Sequence, residues 1–217
     1  CKDVVKELCE KRLVNTYNID PIKDIQVLIP TKKGVCGTTE VNKMLQNSLN
    51  PPSKNKGEIT FQNIIYRQGD RVMQVKNDYE LKWRHKDKIG VEGMGVFNGE
   101  MGSVVNIDTI HRKIIVLFDD DKEVEYDMPS LVSLEHCYAI TIHKSQGSEF
   151  DYCVIPLFTT SDFLLTRNIL YTAITRAKKM VVIVGTPYIV RKMIDNNTEQ
   201  KRYTGLTKKI VEYMKGN

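Results

Sequence analysis

Residues 139–150 read Ala-Ile-Thr-Ile-His-Lys-Ser-Gln-Gly-Ser-Glu-Phe. Ala139, Ile140 and Ile142 are apolar, and the character then turns abruptly small, polar and cationic. An apolar run that breaks at a hydroxyl- and glycine-rich turn predicts a buried strand delivering polar groups to a sheet edge. In open α/β sheets the carboxyl ends of the strands are where ligands bind. A second stretch of the same mixed character, Arg167-Asn-Ile-Leu-Tyr-Thr-Ala-Ile-Thr-Arg-Ala-Lys-Lys179, runs directly into the apolar segment Met180 to Val184.

Around these stretches an α/β pattern is legible. The run 3–14 sets Val5, Leu8, Cys9 and Leu13 at helical spacing, and 24–30 predicts a buried strand ended by Pro30. Gly37 followed by Glu40 predicts a helix start; Val41, Met44, Leu45 and Leu49 form its stripe, and Asn50-Pro51-Pro52 stops it. The turn 31–40 is not a G-x-x-x-x-G-K-[ST] phosphate loop, and no such sequence occurs in the chain; it reads as an ordinary strand-to-helix turn. Strands are predicted at 138–142, 152–157 and 180–184, with helices at 166–178 and 187–194 and a last one carrying Leu206, Ile210 and Met214. Alternating strands and helices imply a parallel sheet.

Between about Gly57 and Glu135 the texture changes to short strands and charged turns, which predicts a small antiparallel barrel inserted into the α/β domain. Residues 76–88 read as a polar loop holding Tyr79 and Trp83 among Lys82, Arg84, His85, Lys86 and Lys88. Aromatics interleaved with cations suit base stacking and phosphate contact; equally, Trp83 caps the barrel while the cations form a solvated rim.

Bulk properties bound the function. The 217 residues suffice for a substantial core, and no apolar run approaches the ~20 residues that span a bilayer. The chain opens on Cys1 with no initiator Met and no signal-peptide pattern, the expectation for a fragment. Its five cysteines are scattered with no C-x-x-C pair, so a reduced, cytoplasmic setting is expected. The four histidines lack metal-ligand spacing, and no metal site is expected. A formal charge of +5 permits a nucleic-acid partner without requiring one.

Thr141, His143, Lys144 and Ser145 offer hydroxyl, imidazole and ammonium donors on one turn, suited to a sugar–phosphate backbone. Gln146, Gly147, Ser148 and Glu149 suit a nucleotide, with Glu149 accepting from a ribose hydroxyl. Arg176, between the small Thr175 and Ala177, is the cation best able to approach a ligand, and its guanidinium forks onto phosphate oxygens. Taken alone, an arginine there would be a surface residue at a helix end.

The stretch Thr141-Ile-His-Lys-Ser-Gln-Gly-Ser-Glu-Phe150 resembles motif V of superfamily-1 helicases, and Asn168-Ile-Leu-Tyr-Thr-Ala-Ile-Thr-Arg-Ala-Lys178 resembles motif VI. Gly69-Asp-Arg-Val-Met-Gln-Val-Lys-Asn-Asp-Tyr79 and Val96-Phe-Asn-Gly-Glu-Met-Gly102 are similar to stretches that introduce the small inserted barrel in the RecD/TraA branch. The resemblance covers roughly 24–185. It implies the second RecA-like motor domain of a 5′→3′ DNA helicase, residues 1–66 and 136–217, with a Src-homology-3-like barrel inserted at 67–135.

In that family Arg176 would be the catalytic arginine finger, and Gln146, Gly147 and Glu149 would face ATP. Thr141, His143, Lys144 and Ser145, with Asn77, Tyr79 and Trp83, would meet single-stranded DNA. ATP with Mg²⁺ would be held mainly by a first motor domain of the same polypeptide, which bears the phosphate loop in the family. This segment alone would therefore lack ATPase activity. Where UvrD-type relatives carry an arginine early in a helix, this chain has Thr38, Thr39 and Glu40, with Arg71 the nearest substitute. Two further readings stand beside the motor. One is a non-motor module that holds single-stranded nucleic acid or a partner protein; the other is a barrel that docks a proline-rich partner through Tyr79 and Trp83. None of these readings calls for a membrane.

Overall fold

The computed structural model describes residues 2–158, 162–197 and 213–214. The expected last helix rests on Leu206 and Ile210, which lie outside the described residues.

The chain begins with α1 (Lys2–Glu7), a π turn (Leu8–Arg12) and α2 (Leu13–Tyr17), which bury Val5, Leu8, Cys9 and Leu13 on one side as the spacing requires. Strand β1 (Ile25–Ile29) follows, then α3 (Thr38–Leu49) starting at Gly37. The hairpin β2 (Glu58–Phe61) and β3 (Ile64–Arg67) leads into β4 (Arg71–Gln74), β5 (Asp78–His85), β6 (Glu92–Val96), β7 (Met101–Asp108), β8 (Lys113–Phe118), β9 (Lys122–Tyr126) and β10 (Leu134–His136). The chain then returns through β11 (Ala139–Thr141), β12 (Phe150–Pro156), α4 (Arg167–Ile174), β13 (Ala177–Val184) and α5 (Pro187–Asp195).

Strands β11, β1, β12 and β13 form, in that order, a wholly parallel sheet. Its two faces follow the period of two in β1. Ile25, Val27 and Ile29 pack with α1, α2 and α3, while Leu28 joins Ile155, Leu170 and Ala173 and, from α5, Met193 on the other face. A sheet covered on both faces is largely apolar, and β1 is fully buried; its polar residue, Gln26, donates its amide to the Cys137 and Tyr138 carbonyls at 3.1 and 3.2 Å. This is the RecA-like layer expected from the sequence.

Strands β10-β4-β7-β8-β9-β5-β6 form the antiparallel, curled SH3-like unit. Its core includes Val72, Val104, Ile114, Val116, Phe118, Val124 and Tyr126, and it also takes in Ile59 and Tyr66, so the β2–β3 hairpin packs with this unit.

Two expectations are corrected. Residues 78–85 are strand β5, paired with β6 and β9, and not a loop. Helix α4 stops at Ile174, and β13 already pairs at Ala177, opposite Phe150. Arg176 therefore sits in a turn, not in a helix.

Both crossings between the two units converge on Asp70, which is fully buried. Its Oδ2 accepts from the Arg67 N–H (2.7 Å) and Gln46 Nε2 (2.6 Å), and His136 Nε2 lies 3.0 Å away. Its Oδ1 accepts from Asn50 Nδ2 (2.7 Å) and the Tyr138 hydroxyl (2.9 Å). Burial pushes this carboxyl up, but the His136 ring, the Asn50 amide and the Arg67 N–H outweigh it and hold Asp70 below the usual carboxylate range.

Candidate nucleotide and nucleic-acid interface

The stretch 142–149 joins two parallel strands without a helix. Thr141 pairs level with Ile29 at the carboxyl end of β1, whereas Tyr152 pairs level with Ile25 at its start. The loop thus descends the full height of the sheet. Its first residues belong to the carboxyl-end edge and its last to the opposite edge.

At the carboxyl-end edge the Lys144 N–H donates to Thr141 Oγ1 (3.3 Å), fixing the turn. His143 is exposed and has no side-chain partner among the described residues. Lys144 Nζ reaches Glu135 Oε2 at 3.0 Å, and Lys32 Nζ, from the loop after β1, reaches Glu135 Oε1 at 2.8 Å. Burial raises the Glu135 carboxyl, but the Lys32 and Lys144 ammoniums prevail and hold it below its ordinary range. Ser145 corrects the expectation: it is 0 % exposed, and its hydroxyl donates to the Ile142 carbonyl at 2.7 Å. It builds the turn, and a phosphate does not reach it.

Gln146, whose N–H donates to the His143 carbonyl at 3.3 Å, and Gly147 are exposed in the turns between the two edges, and Gly147 has φ +89 with open space where a Cβ would stand. A left-handed conformation of this kind favours glycine. Glu149 is exposed, with Lys178 Nζ 3.7 Å from its Oε2. Arg176 is half-buried and already oriented: Nη1 donates to the Ser148 carbonyl (3.1 Å), Nε to the Thr172 carbonyl (3.2 Å) and Nη2 to Thr175 Oγ1 (3.2 Å). The Phe150 N–H donates to the Arg176 carbonyl at 2.8 Å. These contacts bring the two motif stretches together.

Arg71 lines a cleft of ≈ 380 Å³ with Ser148 and Glu149, but both its terminal nitrogens are forked onto Asp119 at 2.6 and 2.5 Å. A guanidinium whose charge is met by a carboxylate is not free for a phosphate, whereas the acceptors around Arg176 are uncharged. Among the described residues no cluster of His, Cys, Asp or Glu could hold a metal ion. A guanidinium, one carboxylate and a glycine turn fit one side of a nucleotide and no more.

The aromatic pair separates. Tyr79 is 68 % exposed and meets Phe97 edge-on at 5.7 Å, with Asn77 Nδ2 3.4 Å from its hydroxyl. Trp83 lies on Gly93, packs against the barrel core and shares a shallow cleft with Lys82, Arg84, Glu92, Glu123 and Glu125, while Lys122 Nζ stands 5.7 Å from its ring centroid. Cations and carboxylates balance around the ring, and it is the packing on Gly93 and the barrel core that supports the barrel-cap reading for Trp83. Lys32 and Glu135 were not singled out from the sequence; they lie 103 residues apart, and no local pattern joins them.

Comparison with known proteins agrees with this architecture. Residues 41–118 match the family described as the ATP-dependent RecD-like DNA helicase SH3 domain, and residues 136–184 match the UvrD-like helicase C-terminal domain. The ATP-dependent RecD2 DNA helicase of Deinococcus radiodurans is 33 % identical over 162 residues, covering 75 % of this chain and 20 % of that protein. The RecBCD enzyme subunit RecD of Mycolicibacterium smegmatis is 30 % identical over 187 residues, covering 85 % of this chain and 29 % of that one. The chain thus spans less than a third of the length of these relatives. In fold it is similar to the Pif1 helicase from Bacteroides solved in complex with ADP-AlF3 and ssDNA, with a TM-score of 0.53 at 19 % identity, covering 100 % of this chain and 50 % of that one. With both domain types present in one chain, this protein belongs to the RecD-like family of superfamily-1 helicases.

Proposed function

We propose that this chain is the C-terminal motor half of an ATP-dependent DNA helicase translocating 5′→3′, with Arg176 as its arginine finger. The observation that carries the proposal is the link from Arg176 Nη1 to the Ser148 carbonyl, beside Gly147 and Glu149, at one edge of a sheet whose other edge presents Thr141, His143 and Lys144. One loop spans both edges, so a nucleotide felt at one end bears on a strand gripped at the other.

ATP with Mg²⁺ supplies the phosphoryl group whose transfer to water drives the cycle. Arg176 would meet the developing charge on that group, a role worth ~10³–10⁵ in turnover. Glu149 would accept from the ribose, and the Gly147 turn would allow close backbone approach. At the other edge, His143 and Lys144 would donate to backbone phosphates while Asn77 and Tyr79 meet a base. The first motor domain of the parent polypeptide is the partner in ATP binding and the holder of Mg²⁺. The chain on its own is expected to hydrolyse ATP negligibly. The buried free thiols of Cys9, Cys137 and Cys153 suit a reducing, cytoplasmic setting.

The test is ATPase activity of the parent polypeptide with and without single-stranded DNA, wild type against Arg176→Ala. DNA-stimulated turnover that collapses by orders of magnitude while ATP still binds supports the motor. No turnover in the wild type leaves a single-strand-binding module, the reading in which the barrel or the sheet edge serves only to hold a partner.

A further inference from the structure

We propose that a pocket between α3, the β2–β3 hairpin and β10 is a nucleotide subsite that extends the single-strand path beyond β11. The inference rests on the nucleic-acid reading of Thr141, His143 and Lys144.

Continuity is the first argument. A small cavity beside Thr141 and Lys144 and a larger pocket of ≈ 330 Å³ share Lys32, Thr38, Asn42, Glu135 and His136 as walls. The small cavity is only ≈ 20 Å³, so it is no passage, but the shared walls set the larger pocket directly beside the carboxyl-end edge, across the Lys32–Glu135–Lys144 bridge.

Chemistry is the second. The far wall carries Ile64, Ile65, Asn47 and Asn63. Ile65 is 43 % exposed, an apolar surface against which a base face can lie. Asn47 and Asn63 are exposed and have no side-chain partner among the described residues, leaving donors and acceptors for a base edge. Lys43, exposed at the rim with Glu40 3.5 Å away, supplies the phosphate contact. Arg67 lies in the floor but is bound to Glu58 and the Asn50 carbonyl, so its charge is answered within the protein and it makes no contact with the strand. At ≈ 330 Å³ the pocket lies at the small end of ligand sites, enough for one nucleotide and not for a folded partner.

Charge is the third. Glu135, the acidic group in the shared wall, is bracketed by Lys32 and Lys144, so that wall presents no bare carboxylate to the strand between Thr141 and Lys43.

The experiment measures binding of dT oligonucleotides of increasing length to the 217-residue chain, across salt, for wild type, Lys43→Ala and Asn47→Asp. Both positions are exposed, so the fold is retained. The expected result is a step in affinity, roughly fivefold or more, once the strand is long enough to enter the pocket. Both variants should lose the step while binding short strands like wild type, and Lys43→Ala should reduce the salt slope for long strands by about 0.7. Affinity that rises smoothly with no step, or a step that survives both variants, overturns the subsite and leaves the sheet-edge reading intact. Failure of every oligonucleotide to bind overturns both.

Discussion

Arg176 and Ser148 are joined side chain to backbone, Nη1 to carbonyl oxygen at 3.1 Å, across 28 residues of sequence. The guanidinium is held by three acceptors before any ligand arrives, the others being Thr172 and Thr175. Preorganisation of this kind removes side-chain entropy that would otherwise oppose binding. A lysine at this position offers a point charge and cannot fork. Arg176→Lys in the parent polypeptide should therefore lower DNA-stimulated ATP turnover by about tenfold or more, ~1.4 kcal/mol, with ATP affinity little changed. Turnover equal to wild type would mean that charge alone suffices.

The sheet edge makes a second prediction, in the salt dependence of binding. Lys144→Ala should reduce the slope of log affinity against log salt for single-stranded DNA by about 0.7, one phosphate's worth. Ser145→Ala should leave that slope alone and act on stability, by roughly 1 kcal/mol, because its hydroxyl bonds the Ile142 carbonyl inside the turn. Titration of binding against salt, with chemical unfolding in parallel, separates the two variants. A slope change in Ser145→Ala would restore it as a contact.

Asp70 predicts the acid limb of stability. Its folded-state value is depressed from the ordinary 3.8. The stabilisation it contributes is therefore complete above that pH and is lost as the pH falls through the lower folded value. Asp70→Asn should cost roughly 3 kcal/mol at neutral pH, since it loses the charge and turns an NH2 group toward other donors. Its unfolding free energy should also fall less steeply with acid than that of wild type. Parallel slopes below pH 4 would show that other carboxylates set the acid limb.

Trp83 gives a spectroscopic prediction. A Cβ on Gly93 would stand 2.5 Å from the indole ring, so Gly93→Ala must displace Trp83 and shift its emission to the red. Saturating single-stranded DNA should leave wild-type emission unchanged, given the packing of the ring on Gly93 and the barrel core. Strong quenching by DNA would instead put Trp83 among the stacking residues beside Tyr79.

The parallel sheet was legible because both its faces are covered. Ile25 to Ile29 are apolar except for Gln26, and such a run has few alternatives. β5 was not legible. Its sequence Asp-Tyr-Glu-Leu-Lys-Trp-Arg-His turns every second side chain to solvent, and with charges outward and Leu81 and Trp83 only half-buried it reads as a loop. The end of α4 was lost to propensity: 173–179 continue well as helix, and only the pairing of Ala177 with Phe150 stops them. Within the site, Arg176, Glu149 and His143 are picked out by local motif stretches. The burial of Ser145 and the Lys32–Glu135–Lys144 bridge depend on tertiary contacts that no local spacing encodes.

The knot at Asp70 decides how the molecule can be taken apart. Gln46 and Asn50 come from the motor side, Arg67 from the outgoing crossing, and His136 and Tyr138 from the return. Replacing residues 68–135 by a short linker would remove the one acceptor that all of these groups share, stranding amide and phenol hydrogens in a place water does not reach. The insertion therefore cannot be shed as an ornament on a self-sufficient motor. A lineage that lost it would have to rewrite α3 and the entry to β11 at the same time.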